Sequence, residues 1–320
     1  MPRRSAVLLL AAALVACGNA GAVDPYPARP IRMVVAAAAG SGPDIIARHL
    51  GAKLAETWGQ QIVVDTRPGA SGLIGAETAA KAAPDGYTLW LATMTQLIST
   101  TLRGKFEMPQ EFAPVGLVAT TTFVLAVSAA VPASTVAELI ELAKARPGQL
   151  QYASGGEGSA PHLCMEIFGR MAGVDLVHVP YKSIPLSMTD MMSGEIQLGC
   201  IAAPAVPAFV KTGKVRALAV TSAARTRLAP GLPPVADSVP GYDLTGWYGL
   251  LAPRGTPAGI ISRINAAAGV ALHGRDLAER LLALGSEAAG STPAEFGEFL
   301  RKEHARWANA LAETGTRAAQ

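Results

Sequence analysis

Apolar residues in this chain form short runs that alternate with stretches of helical spacing. The run Ile31–Val35 is rich in β-branched side chains and broken only by Arg32, which predicts a buried strand. Gly40 and Gly42 follow and let the backbone turn tightly. Pro43 suits the first position of a helix, where its missing N–H costs nothing. Ile45, Ile46, Leu50 and Leu54 then recur at helical spacing. A strand, a glycine loop and a helix N-terminus leave free backbone N–H groups pointing outward, a place suited to an anion. Gly40, Ser41, Gly42 and Asp44 are therefore ligand candidates. The join is neither a P-loop nor a GxGxxG, and ordinary α/β connections share it. Asp44 repels an anion unless it points away.

The pattern then repeats. Residues 61–65 read as a strand, 66–72 as a glycine-rich turn, 73–82 as a helix and 88–93 as a strand. Short strands alternating with helices predict a parallel sheet with its strand-to-helix loops on one edge. Those loops are 36–42, 66–72 and 93–96, and open α/β sheets bind ligands beyond the carboxyl ends of their strands. Residues 112–119 and 123–127 are two further apolar runs. A second unit opens with the capping box Thr135-x-x-Glu138. It continues as a strand at 150–153, a glycine loop at 154–160, a helix at 161–171 and a strand at 176–179. A short helix at 186–192 and strands at 196–201 and 215–220 follow. Prolines 230, 233, 234 and 240 break up 229–242. Residues 246–253 read as a strand crossing back, followed by helices at 257–272, 277–284 and 293–311 that pack on the first sheet. The predicted fold is α/β with two lobes, each a central, mostly parallel sheet flanked by helices. The first lobe takes 24–124 plus 249–320 and the second 125–248. Two lobes joined by crossing segments have the geometry of a hinged clamp.

Composition narrows the function. With 320 residues, half of them hydrophobic, the chain can build two sizeable cores. A formal net charge of +3 with no basic stripe argues against nucleic acid. Five histidines and three cysteines show no metal-ligand spacing, and no cofactor motif appears. Arg3 and Arg4 precede an apolar run at 6–16 that is too short to span a bilayer, so the N-terminus reads as an export signal. Two processing schemes fit it. Leu14-Val15-Ala16-Cys17 is lipobox-like, making 1–16 the signal and Cys17 a lipid anchor; Ala20-Gly21-Ala22 is an ordinary cleavage site, making the signal 1–22. Export puts Cys164 and Cys200 in an oxidising compartment, where they either pair or stay buried as thiols.

No catalytic set emerges. Ser154, Ser159, His162 and His178 suggest a hydrolase, but Gly156-Glu157-Gly158-Ser159-Ala160 is not a G-x-S-x-G elbow and no acidic partner is placed. The loop from Ser154 to Ser159, with Gly156 and Gly158, offers backbone N–H groups and hydroxyls at a helix start. Donors without a nucleophile suit holding a carboxylate better than converting it. Thr93, Thr95 and Gln96 are donors of the same kind, and Tyr181 and Lys182 follow a strand in the second unit. His162 lies one turn into a helix, as packing residues and ligand contacts both do.

Read together, Tyr26-Pro27-x-Arg29-Pro30-Ile31, Gly40-x-Gly42-x-Asp44, Arg67-Pro68-Gly69-Ala70-x-Gly72 and Pro84-Asp85-Gly86-Tyr87 form an ordered series. It continues through Tyr152-Ala153-Ser154-x-Gly156-x-Gly158-Ser159-x-x-His162, His178-Val179-Pro180-Tyr181-Lys182, the segment 213–220 and the region 247–257. The series resembles the substrate-binding proteins of tripartite tricarboxylate transporters, the Bug family of periplasmic receptors. The resemblance implies a monomeric periplasmic binding protein that holds a small organic acid between its lobes and delivers it to membrane transporter subunits, without catalysis. Alternatives are a periplasmic hydrolase built on Ser159 and His162, or a ligand sensor for a signalling partner. The chain departs from the family at 36–39, four alanines where the family has a Phe and prolines, and at Ser183, where it has Gly. Ala37 falls where the aromatic wall of the ligand is expected, which implies a roomier site and a bulkier ligand.

Overall fold

In the computed structural model, which describes residues 26–104, 107–156, 159–181 and 184–314, the first apolar run is strand β1 (Ile31–Val35), and four of its five residues are buried. Helix α1 (Gly42–Trp58) has proline in its first turn and buries Ile46, Leu50 and Leu54. Strand β2 (Ile62–Thr66), helix α2 (Leu73–Ala80) and strand β3 (Thr88–Thr93) complete the unit. β1 pairs with β2 and β3 in parallel. One face of this sheet packs Ile31, Met33 and Val35 against α1 and against Ile261 and Ile264 of helix α9 (Ala258–His273). The other face packs Val34 and Trp90 against helix α3 (Met94–Arg103) and helix α11 (Pro293–Thr314). No loop separates β3 from α3: Thr93 ends the strand and caps the helix.

The two apolar runs after residue 111 are one strand, β4 (Phe112–Ser128), reached through the short helix α4 (Met108–Glu111). Its first part pairs antiparallel with strand β9 (Thr245–Pro253) and with strand β10 (Ser286–Ala288). From Phe123 on it pairs antiparallel with strand β7 (Leu198–Ala202) and strand β8 (Val215–Val220). β4 therefore belongs to both sheets. The second sheet continues from β7 into strand β5 (Gln151–Ser154) and strand β6 (Val177–Pro180), all parallel. Parallel order holds in β2-β1-β3 and in β7-β5-β6; the long strands add antiparallel pairs, because a chain that leaves one lobe and returns must run against its neighbours.

Helices α5 (Val136–Ala145), α6 (Ala160–Ala172), α7 (Ile184–Ser193) and α8 (Val206–Val210) belong to the second lobe, and α10 (Arg275–Ala283) to the first. Cys164 on α6 and Cys200 on β7 form a disulfide, which settles the choice left open between paired and free thiols. The signal segment and Cys17 lie outside the described residues. Among the described residues no helix is long and apolar enough to cross a membrane.

Where the chain passes between the sheets, buried threonines tie three segments. Thr221 Oγ1 accepts from the Phe123 N–H at 3.0 Å and donates toward the Leu244 carbonyl at 2.9 Å. Thr122 Oγ1 accepts from the Ser222 N–H at 3.2 Å. At the outer end, the buried Glu303 carboxylate on α11 accepts from Trp247 Nε1 at 3.3 Å and Trp307 Nε1 at 3.1 Å, fixing α11 on β9.

Gly249 on β9 is a packing requirement: a Cβ there would collide with the Phe296 ring of α11. Gly249→Ala should lower stability by about 1–3 kcal/mol through overpacking. Gly269, inside α9, has no atom within 4 Å of an added Cβ, so Gly269→Ala should raise stability by about 1 kcal/mol. Urea unfolding midpoints check both; an unshifted midpoint for Gly249→Ala would mean that α11 does not seat on β9 in this way.

Candidate functional site

Strand β5 ends at Ser154, and α6 begins after Ser159. The turn between them relies on glycine, since Gly156 has φ 103°, a conformation that side chains disfavour. Ser159 caps α6 by accepting from the His162 N–H at 3.4 Å, and its hydroxyl donates to the Gly156 carbonyl at 2.7 Å. Ser154 is buried; its Oγ accepts from the Gly156 N–H at 3.0 Å and lies 2.6 Å from His178 Nε2. The parallel register puts His178 on β6 beside Tyr152 on β5, with rings stacked 5.1 Å apart. The His162 ring lies 4.3 Å from that of His178. Tyr152 Oη donates to the Glu166 carboxylate, and burial together with that carboxylate keeps the phenol protonated far above neutral pH.

In front of this loop is a cavity of about 350 Å³. Ser154, Gly155 and Ser159 line one part of it. Met188 and Met191 of α7, Ile201 and Ala202 of β7, and Phe123 of β4 line another. Ser187 of α7 contributes a hydroxyl, and Thr95 of α3 reaches in from the first lobe. The structure thus brings together three of the residues singled out from sequence: Thr95, Ser154 and Ser159. A second hollow, of about 240 Å³, is lined by Met165, Glu166, Arg170 and residues 174–176 and contains no glycine-loop residue.

The other candidates are placed differently. Ala37 packs half-buried against the first-lobe core. Asp44 is buried and turned back on its own loop, accepting from the Gly40 N–H at 2.8 Å and pairing with Arg48 at 3.0 Å. That fixes the loop carrying Gly40, Ser41 and Gly42, none of which lines the cavity. Gln96 and Thr93 cap each other: Gln96 Oε1 accepts from the Thr93 N–H at 2.6 Å and its hydroxyl at 2.7 Å. The Thr93-x-x-Gln96 spacing is itself a capping-box signature, which could have assigned both residues to the helix start. Tyr181 donates to Asp190 at 2.6 Å, and burial plus that carboxylate push its phenol up to about 12. His162 is buried among rings, and its contact with Ser159 is made by the backbone N–H, so the Ser159–His162 pair of the hydrolase reading is not drawn together through the imidazole. Gly158 and Lys182 lie outside the described residues. Among the described residues no group of three or more His, Cys, Asp or Glu is placed to hold a metal ion.

Sequence reasoning missed Phe123, Ser187, Met188, Met191 and Ile201. The apolar ones carry the same periodic signal as core residues, and only the fold shows that a cavity lies in front of them. Ser187 is one of several polar residues on that helix, with Thr189 and Asp190, so nothing in the sequence marked it out.

Residues 46–316 match the family model described as the tripartite tricarboxylate transporter family receptor. The chain is similar to protein BugT of Bordetella pertussis, 32% identical over 322 residues and 99% of each chain. Among solved structures it is similar to R. palustris Rpa4515 with adipate, with TM-score 0.74, 32% identity, and 91% of this chain and 98% of that one covered. It is also similar to MatC from Rhodopseudomonas palustris with bound malate, with TM-score 0.73, 28% identity, and 89% of this chain and 100% of that one covered.

The placement of Asp44 has a pH signature. Burial by itself raises its carboxyl, but hydrogen bonds from Arg48 and the Gly40 N–H outweigh that and lower it below the ordinary carboxylate value. A depressed carboxyl in the folded state stabilises above the unfolded value of about 4, and that contribution is lost as pH falls through the folded value. Asp44→Asn should cost roughly 1–3 kcal/mol at pH 7. The gap from wild type should narrow below about pH 4. Denaturant titrations at both pH values check it; a gap that stays constant would show that the charge does not fix the loop.

Proposed function

This chain belongs to the tripartite tricarboxylate transporter receptor family, and from that premise we propose that it captures a small organic carboxylate between its two lobes and delivers it to membrane transporter subunits. The observation that carries the reading is the cavity in front of the Ser154–Ser159 loop, where hydroxyls and the start of α6 meet Thr95 from the first lobe. A helix N-terminus, through its dipole and the backbone N–H groups of its first turn that remain unbonded, favours an anion without a lysine or arginine in contact. Two relatives solved with adipate and malate support a carboxylate as the ligand class. In this reading the lobes are 24–124 plus 249–320 and 125–248, and the hinge is the pair of strands β4 and β9. The protein works as a monomer in the periplasm, with residues 1–22, or 1–16 if Cys17 is lipidated, removed on export. It binds and releases its ligand without turning it over.

Purified protein should gain thermal stability from a carboxylate ligand found by screening. Ser154→Ala and Ser159→Ala should each weaken that ligand by about 1.5–3 kcal/mol, roughly 10- to 100-fold. Titration calorimetry reads this; unchanged affinity in both variants would remove the loop as the site. Hydrolysis of an ester or amide, lost in either variant, would replace the receptor reading with an enzyme.

A separate expectation concerns Cys17. If it carries the lipid, Cys17→Ser should release the protein from membranes or leave it unprocessed. A soluble wild-type form beginning at Val23, seen by mass spectrometry, would exclude the anchor.

A further inference from the structure

We propose that the ligand is a monocarboxylate with an apolar body, aryl or branched alkyl, rather than a compact hydroxylated di- or tricarboxylate. The inference rests on the receptor reading and deepens it. Its basis is the uneven distribution of polar groups around the cavity. The wall follows three adjacent strands of the second sheet, from β5 through β7 to β4. Ser154 and Ser159 stand at the β5 side, beside the start of α6. Two strand spacings away, about 10 Å, the wall is Phe123 of β4. Between them lie Ile201, Met188 and Met191.

A carboxylate has one evident place in this cavity, against the glycine loop. Its body then extends over Ile201 toward Phe123. A second carboxylate at that end would be stripped of water above apolar side chains, and burying a charge without partners is strongly unfavourable. Among the described lining residues there is no Lys, Arg, Asp or Glu to meet it. Ser187 and Thr95 bring only neutral hydroxyls, which do not replace the hydration of an anion. The two methionines favour a broad or branched body, because their unbranched, polarizable side chains adapt to irregular apolar shapes.

The test is titration calorimetry of the purified protein with phenylacetate and 4-methylpentanoate against malate, citrate and adipate. At least one apolar monocarboxylate should bind ten-fold or more tightly than malate and citrate. Phe123→Ala should reduce affinity for that ligand about ten-fold or more and leave acetate binding within two-fold, whereas Ser154→Ala should weaken both. Ala202 is exposed while lining the cavity, so Ala202→Phe adds a ring to the cavity without entering the core. It should exclude phenylacetate selectively, and it serves as the second probe if Phe123→Ala does not fold. Malate, citrate or adipate binding more tightly than every apolar monocarboxylate would overturn the inference and leave the receptor reading standing. Equal losses for phenylacetate and acetate in both wall variants would also overturn it. No binding by any carboxylate would overturn the receptor reading itself.

Discussion

The continuity of β4 through both sheets constrains everything else. An ordinary two-lobe protein needs only linkers between its halves. Here one 17-residue strand pairs with β9 and β10 at one end and with β7 and β8 at the other. The change of partners falls at Thr122 and Phe123, where a loose backbone would leave N–H and carbonyl groups buried and unpaired. Thr221 and Thr122 supply the missing hydrogen bonds, and Thr221 is fully buried. The hydroxyls let the strand pass between the sheets without losing its ladder. The apolar contacts are equally continuous: Val34 and Trp90 of the first lobe, Trp247 of β9, and Leu125 and Tyr152 of the second lobe belong to one connected core. Any relative motion of the lobes has to be taken up by twist in β4 and β9 rather than by a free joint.

That continuity was the feature least legible in the sequence. The strands, glycine turns and helices between residues 31 and 93 appear close to where the pattern puts them, because the strands are short apolar runs and most of the elements are bounded by glycine or proline. β4 read as two runs because Thr120, Thr121 and Thr122 interrupt the apolar pattern. Threonine is β-branched and fits a strand well, and two of these hydroxyls are used, that of Thr121 donating to the Gly285 carbonyl and that of Thr122 accepting from the Ser222 N–H. Helix α3 was hidden for the opposite reason. Its run of Thr, Ile and Ser residues has modest helix propensity, and the helix is held by its capping box and by the burial of Leu97 and Ile98.

The candidate site divides in the same way. Its polar side was readable as a place, from small polar residues between a strand and a proline-led helix, although in the structure Ser154 and Ser159 are also bonded within the loop, to Gly156, His178 and the start of α6. Its apolar side was not, because a residue that lines a cavity and one that fills a core look alike in a single sequence. Donor residues can also be spent internally. Asp44, Thr93, Gln96 and Tyr181 all carry polar groups near strand ends, and each is bonded within its own lobe. Those bonds make the loops rigid. If, as proposed, the protein holds an anion with neutral donors, that rigidity matters, because the N–H groups must already point the right way when the ligand arrives.

The four alanines at 36–39 raise the question of what replaces the aromatic wall that the family resemblance places in the first lobe. In this chain the aromatic ring on the cavity is Phe123, carried by the strand that both sheets share. Its backbone N–H is held by Thr221 and its register neighbour is Ala202, so the ring is presented by one of the most firmly bonded points of the crossing. A ring on a first-lobe loop approaches the ligand only as that lobe does. A ring on β4 stands beside the second-lobe wall whatever the separation of the lobes. On the proposed receptor reading, the apolar part of recognition would belong to the lobe that carries the glycine loop, with Thr95 as the first-lobe residue on the same cavity. On that reading ligand selectivity would be set mainly in one lobe, and approach of the other would exclude water rather than choose the ligand.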